Sequence, residues 1–231
     1  MTTTEERLAK AEAKIEALIT DLGIHKDVLA IRELQFAYGY FMDKFLFPEI
    51  VDLFSENAEL HFKGGVFHGK AGAKRLYSGA PGDGGPEYGM LFEHIMAQDI
   101  IHVAPDRQSA KGRFRVFLQG GVHISKEEQP PVKPAQFLEG GLYENEFILE
   151  DGIWKISKFD YNVVWRCSFD DGWRHAPIPP VDMIKHEKTF PESPSGPDEL
   201  EDILPRWPEP AMVPFHFKHP VTGKTIALPK T

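Results

Sequence analysis

Asp43 and His94 are the two residues whose types and placement point most directly to chemistry. Asp43 falls at the end of an amphipathic stretch, Asp27–Lys44, and His94 opens an alternating stretch, His94–Val103. A carboxylate that accepts from one imidazole nitrogen fixes the ring's tautomer and leaves the other nitrogen free to take a proton. In an apolar pocket such a pair is a general base supplied by the protein itself. The plain alternatives are a solvated Asp at a helix end and a His that merely begins a strand. Tyr38 and Tyr40 each offer a hydroxyl for a developing oxyanion or a leaving group. Tyr40 sits three residues before Asp43 on the same helix face, which makes it the expected third catalytic group.

Alternation along strands predicts the rest of the pocket. Phe92, Met96 and Gln98 share the parity of His94, as do Ile100 and His102. Tyr143, Tyr161 and Trp165 are the expected contacts from later strands. Trp154 and Ile156 have the opposite parity to Phe159, Tyr161, Val163 and Trp165, and a bulge near Ser157–Lys158 would reconcile them.

The elements that must position these groups follow from periodicity. Thr4–Leu22 reads as a short helix with Leu8, Ala11, Ile15, Leu18 and Leu22 at heptad-like spacing, ended by Gly23. It is expected to dock on its own domain or to pack between subunits. Asp27 is the expected N-cap of the next helix, whose apolar stripe includes Ile31, Leu34, Tyr38 and Met42. Pro48–Phe54 reads as a short helix, Ala58–Lys63 and Val66–His68 as a hairpin, and Ala71–Tyr77 as a further helix. Four long strands follow at His94–Val103, Ser109–Gly120, Gln136–Leu149 and Ile153–Trp165, the last two joined at Glu150-Asp151-Gly152. The Gly-rich stretch Gly79–Gly89 and the prolines at 130, 131 and 134 mark loops. After Cys167 come twelve of the nineteen prolines and little periodicity, so this stretch reads as extended chain wrapping the domain.

This order predicts an α+β cone: a curved antiparallel or mixed sheet with helices closing its concave face. The expected organisation is an N-terminal helical extension over 1–24, the cone over 25–167 and the Pro-rich tail over 168–231.

Composition narrows the function classes. A net charge of −9 with no basic stripe argues against nucleic acid. The single cysteine, Cys167, excludes an internal disulfide and fits a reducing, cytoplasmic setting. The N-terminus has no apolar signal region, and no run has the length of a membrane span. Ten histidines include no His-Glu-x-x-His pair and no Cys/His cluster, so neither a metal nor a cofactor is expected.

Three stretches carry a resemblance to a known family: AIRELQFAYGYFMDKFLFPEIVDLFSENAEL, EHIMAQDIIHV and GGLYENEFILEDGIWKISKFDY. Over Asp27–Trp165 the chain resembles the SnoaL-like branch of the nuclear transport factor 2-like superfamily. Gln98 stands where that branch usually has Asn. The resemblance implies a cystatin-like cone and includes scytalone dehydratases, hexachlorocyclohexane dehydrochlorinases, ketosteroid isomerase-like enzymes, polyketide cyclases, lignin-dimer γ-formaldehyde lyases and plain binders. In the dehydratase and dehydrochlorinase branch an Asp on the first core helix and a His at the start of the third strand do the chemistry, which map to Asp43 and His94. It also implies a homo-oligomer, with a trimer favoured. The expected activity is a lyase eliminating water or formaldehyde from a small hydroxylated aromatic, phenylpropanoid or lignin-dimer in type. The alternatives are an isomerase or cyclase, or a non-catalytic binding or association module.

Overall fold

A computed structural model describes residues 3–78, 85–126, 136–176 and 188–227. The loop assignments at 79–84 and 130–134 lie outside the described residues, as does 177–187 of the tail. Helix α1 (Thr4–Asp43) is followed by α2 (Phe47–Asp52), β1 (Phe54–Phe62), β2 (Gly65–His68) and α3 (Gly69–Ser78). Strands β3 (Met90–Val103), β4 (Ser109–Val122), β5 (Gln136–Glu150) and β6 (Ile153–Ser168) come next, then the two-residue β7 (Glu199–Leu200). The sheet order is β3-β4-β5-β6-β1-β2-β7. Only the β1–β6 pairing is parallel among these, so the sheet is mixed. The result is an α+β fold, one long helix and two short ones against a curved seven-stranded sheet.

The helical N-terminus departs from expectation. Thr4–Leu22 and the following helix are a single 40-residue helix, begun by a capping box between Thr3 and Glu6. Gly23 does not end it. A Cβ there would stand 2.4 Å from the Arg107 guanidinium, so the glycine is a gap through which Arg107 reaches the helix. Nor is Asp27 an N-cap. It is buried one turn on, accepting from Arg107 Nε at 2.6 Å, Arg107 Nη2 at 3.1 Å and Trp154 Nε1 at 3.1 Å. The Arg107 hydrogen bond holds its carboxyl below the usual carboxylate range, outweighing the upward push of burial. Interior glycine costs a helix about 1 kcal/mol, and this anchor offsets it. Residues 3–22 are all exposed, so the first half of α1 projects from the domain and does not dock on it.

The core lies between α1, α3 and the concave sheet face, built on Ile31, Phe54, Phe114, Phe147, Ile156 and Phe159. Three bulges in the β3–β4 and β5–β6 ladders control which of their side chains face it. Ser157 is the extra residue where Glu146 pairs Lys158 and Phe147 pairs Ile156, as the parity of β6 predicts. A second bulge leaves Val164 unpaired between Val163↔Gly141 and Trp165↔Gly140. The third sits in β3, where Gln98 and Asp99 oppose the single residue Phe114, with Gln98 at φ 45.

The tail runs along the sheet edge and across its outer face. Asp198 accepts from the His68 main-chain N–H at 2.8 Å, β7 pairs with β2, and the Trp207 N–H donates to the Val164 carbonyl at 2.8 Å. Further on, Arg113 donates to the Val213 carbonyl at 3.0 Å and lies over the Phe215 ring, while His216 bonds Glu144.

Candidate active site

Gly39 brings α1 close to β3, and one turn later the helix ends at Asp43 beside His94. Asp43 Oδ1 accepts twice from that residue: from the main-chain N–H at 2.7 Å and from ring Nδ1 at 2.9 Å. A carboxylate accepts, so Nδ1–H donates to it, and Nε2 is the ring nitrogen left to exchange a proton with a ligand. The His94 side chain is 6% exposed and Asp43 14%. Phe92 packs edge-on against the imidazole at 4.9 Å and Tyr38 at 6.5 Å.

His94 lines a cavity of about 120 Å³ together with Phe92, Tyr38, Tyr77, Tyr143 and Tyr161. A cavity of about 150 Å³ holds one benzene, so this one matches a single ring in scale. The Tyr77 hydroxyl donates to Tyr38 at 3.3 Å. Burial pushes Tyr38 up to about 12 and Tyr77 and Tyr143 well above their ordinary value. These phenols are therefore neutral hydrogen-bond donors near neutral pH and cannot serve as bases.

Of the residues expected from sequence, the structure brings Asp43, His94, Phe92, Tyr38, Tyr143 and Tyr161 together. It does not bring Tyr40, which is 73% exposed. Tyr40 lies two residues from buried Tyr38 and thus about 200° around the helix, on the solvent face. Met96 faces inward but packs against Gly39 beneath α1 and does not line the cavity. Gln98 is turned out by the β3 bulge and accepts from Arg115 Nε at 2.8 Å. Asp99 faces inward in its place and binds Arg32 of α1. Beyond the bulge, Ile100 and His102 are exposed too. Trp165 is turned to the outer face by the Val164 bulge and packs against Phe117 and Trp173.

That same bulge turns Arg166 into the cavity, one of three charged residues that periodicity did not single out. Glu139 is 2% exposed, accepting from Tyr161 Oη at 2.6 Å and Arg166 Nη1 at 2.9 Å, with Lys63 Nζ at 3.9 Å. Burial alone would raise its pKa, but Lys63, Tyr161 and Arg166 outweigh it and hold the carboxyl low. Only the unpaired parity at Trp154/Phe159 warned that β6 carries bulges; nothing comparable marks Val164. Among the described residues no cluster of three or more His, Cys, Asp or Glu could hold a metal ion, and no helix is long and apolar enough to cross a membrane.

The sequence profile of the SnoaL-like domain matches residues 25–160. The chain belongs to the SnoaL-like family, within the nuclear transport factor 2-like superfamily. No curated protein sequence matches it. Among solved structures, a hexachlorocyclohexane dehydrochlorinase (LinA) type 2 superposes with a TM-score of 0.53 at 21% identity, covering 64% of this chain and 93% of that one. The LinA type 3 of Novosphingobium barchaimii LL02 gives 0.52 at 20%, with 64% and 94% covered. A putative scytalone dehydratase of Novosphingobium aromaticivorans DSM 12444 gives 0.50 at 20%, with 66% and 91% covered. At these identities the likeness is one of fold. This SnoaL-like chain adds to the shared fold the projecting half of α1 and the long tail.

Proposed function

We propose that this SnoaL-like protein is a lyase in which His94 Nε2 removes a proton from a small hydroxylated aromatic compound. The observation that carries this reading is the Asp43–His94 hydrogen bond, which leaves Nε2 with no hydrogen-bond partner among the described residues, on a side chain that lines a cavity otherwise rich in aromatic rings and neutral phenols. Asp43 holds the tautomer and stabilises the imidazolium once it forms. General base catalysis of this type contributes about 10²–10⁴-fold.

Two eliminations fit. In dehydration, the base takes a proton from carbon, the C–H pair becomes the new double bond, and the neighbouring hydroxyl leaves as water with a proton from the imidazolium or Tyr38. In formaldehyde loss, the base takes the proton of a terminal hydroxyl. The oxygen pair forms the carbonyl of formaldehyde, the carbon–carbon pair becomes the double bond, and a benzylic hydroxyl departs as water after protonation. The cavity's scale seats one ring, so a second ring of a diaryl substrate would lie towards its mouth. Similarity in fold to dehydratase and dehydrochlorinase structures supports the reaction class without choosing between the two.

The test is an incubation of the purified protein with hydroxylated phenylpropanoids and diarylpropane diols, following formaldehyde release and the absorbance of the new conjugated double bond. Turnover that falls at least a hundredfold in His94→Ala and in Asp43→Asn, with the circular dichroism unchanged, is expected. Full activity in either variant removes the pair from the mechanism.

A further inference from the structure

The proton transfer uses His94, Asp43 and the phenols, and has no use for the charged wall of the same cavity. Ring contacts lead from His94 through Phe92 and Phe137 to Arg166 of that wall, and from His94 through Tyr38 to Tyr143. It presents two cations, Lys63 and Arg166, to one carboxylate, Glu139. Both oxygens of Glu139 are occupied, Oε1 by Tyr161 and Oε2 by Arg166. Lys63 Nζ stands 3.9 Å from Oε2, outside hydrogen-bond reach, with its side chain only 16% exposed. Besides this ion pair and the Phe62 ring 5.1 Å away, the described residues give Lys63 Nζ no hydrogen-bond acceptor, so its N–H groups are open to an acceptor in the cavity. Its position is built: Lys63 sits at φ 52 in the turn between β1 and β2, beside Gly64 at φ 94.

We propose that Lys63 anchors an anionic oxygen, carboxylate or phenolate, on the aromatic ring of the substrate. As a statement about substrate this rests on the lyase reading; as a statement about a ligand site it does not. The ring then bridges the cavity, its acidic oxygen on Lys63 and its reacting side chain at His94. Burial already lowers the Lys63 pKa, and a bound anion would return it towards its ordinary value.

Binding, not turnover, tests this, so it stands or falls separately from the lyase reading. Benzoate, 4-nitrophenol at pH 8 and neutral benzyl alcohol are titrated into wild type, Lys63→Met and Lys63→Arg, with thermal melts confirming the fold. At least one of the two anions is expected to bind wild type more tightly than benzyl alcohol. It should lose at least tenfold in affinity in Lys63→Met and recover in Lys63→Arg. Which anion does so separates carboxylate from phenolate. No preference for either anion over benzyl alcohol, or unchanged anion affinity in Lys63→Met, overturns the anchor. Lys63-dependent binding with no turnover of any substrate overturns only the lyase reading.

A separate observation concerns the free half of α1. Leu8, Ile15, Leu22 and Leu29 stand seven residues apart with Leu18 between them, each more than half exposed. This stripe points away from the domain, because Gly23 and Asp27 bury the opposite side of the helix. A heptad repeat over three turns of seven is the signature of a helix with a helical partner. The flanking charges are self-complementary. Parallel to a second copy, Arg7 faces Glu12 and Asp21 faces Lys26; antiparallel, Lys14 faces Asp21. We infer that the occupant is the same helix of a second copy of this chain. Light scattering of the full chain is expected to show an oligomer that Ile15→Asp with Leu22→Asp reduces in order while circular dichroism retains the helix. A monomeric wild type, or an oligomer unchanged by the double substitution, overturns it.

Discussion

Gly39 of α1 lies against the main chain of His94 so closely that an added Cβ would stand 3.3 Å from the His94 carbonyl oxygen and 3.4 Å from Met96. The helix approaches β3 so nearly that position 39 has room for little more than a methyl group, and Asp43 reaches the imidazole one turn later.

Gly39→Val should therefore separate the acid from the ring. Overpacking of this kind costs about 1–3 kcal/mol, partly offset by the better helix propensity of Val over Gly. Misplacement by about 1 Å is enough to lose about a hundredfold in rate. The expected variant is folded, slightly less stable and deficient in turnover, whereas Gly39→Ala, whose tightest side-chain neighbour is the flexible Met96, retains most of its rate. Equal rates for wild type and Gly39→Val would mean that the approach at Gly39 does not set the Asp43–His94 distance.

The two tyrosines of α1 should behave oppositely. Tyr38 is buried in the cavity wall and its phenol stays protonated, so Tyr38→Phe removes a hydrogen-bond donor beside the base. Loss of such a donor costs about a hundredfold in kcat. Tyr40→Phe, altering an exposed ring, should stay within about twofold of wild type. Steady-state rates of the two variants side by side decide it, and a reversed ranking would return Tyr40 to the mechanism.

Acid should loosen the anchor of α1. The Asp27 carboxyl has a folded-state pKa below its unfolded value, through the Arg107 hydrogen bond. Its stabilisation is fully present above the unfolded value, near 3.9 for a free Asp, and is lost as pH falls through the folded one. Arg107 is 38% exposed, so solvent screens its charge and weakens the pair relative to a buried one. Asp27→Asn should lower Tm by about 4 °C at pH 7, and its gap to wild type should narrow as pH falls below the unfolded value. Melting curves from pH 7 down to pH 3 check both. A constant gap between the two proteins across that range would rule out the titration of Asp27 as its cause.

The fold was legible because its elements are strongly periodic. The strands near Ser109, Gln136 and Ile153 begin at the expected residues, whereas β3 begins at Met90, so that His94 stands inside the strand it was expected to open and still meets Asp43 at the end of α1. What misled was local backbone geometry. Alternation assigns a face by counting, and one extra residue reverses everything after it. Ser157 betrayed itself because large apolar side chains on either side disagreed in parity. Gln98 and Val164 gave no such sign, so Gln98 and Trp165 were expected inside, and alternation did not assign the inner face to Arg166. The Val164 bulge is also held from a distance: its carbonyl is satisfied by Trp207, over forty residues later in the chain, a partnership that no local pattern encodes. Gly23 misled in the same way. Read locally it stops a helix; in the structure it makes room for Arg107, which belongs to the turn after β3.

Because α1 runs unbroken from its capping box to Asp43, it is a stiff lever about 60 Å long, clamped near its middle by Asp27 and Arg107. The carboxylate that orients the imidazole is one tip of this lever; the other tip stands in open solvent. Whatever grips that outer tip therefore shares a single rigid body with the acid, and a tilt imposed there is delivered at His94.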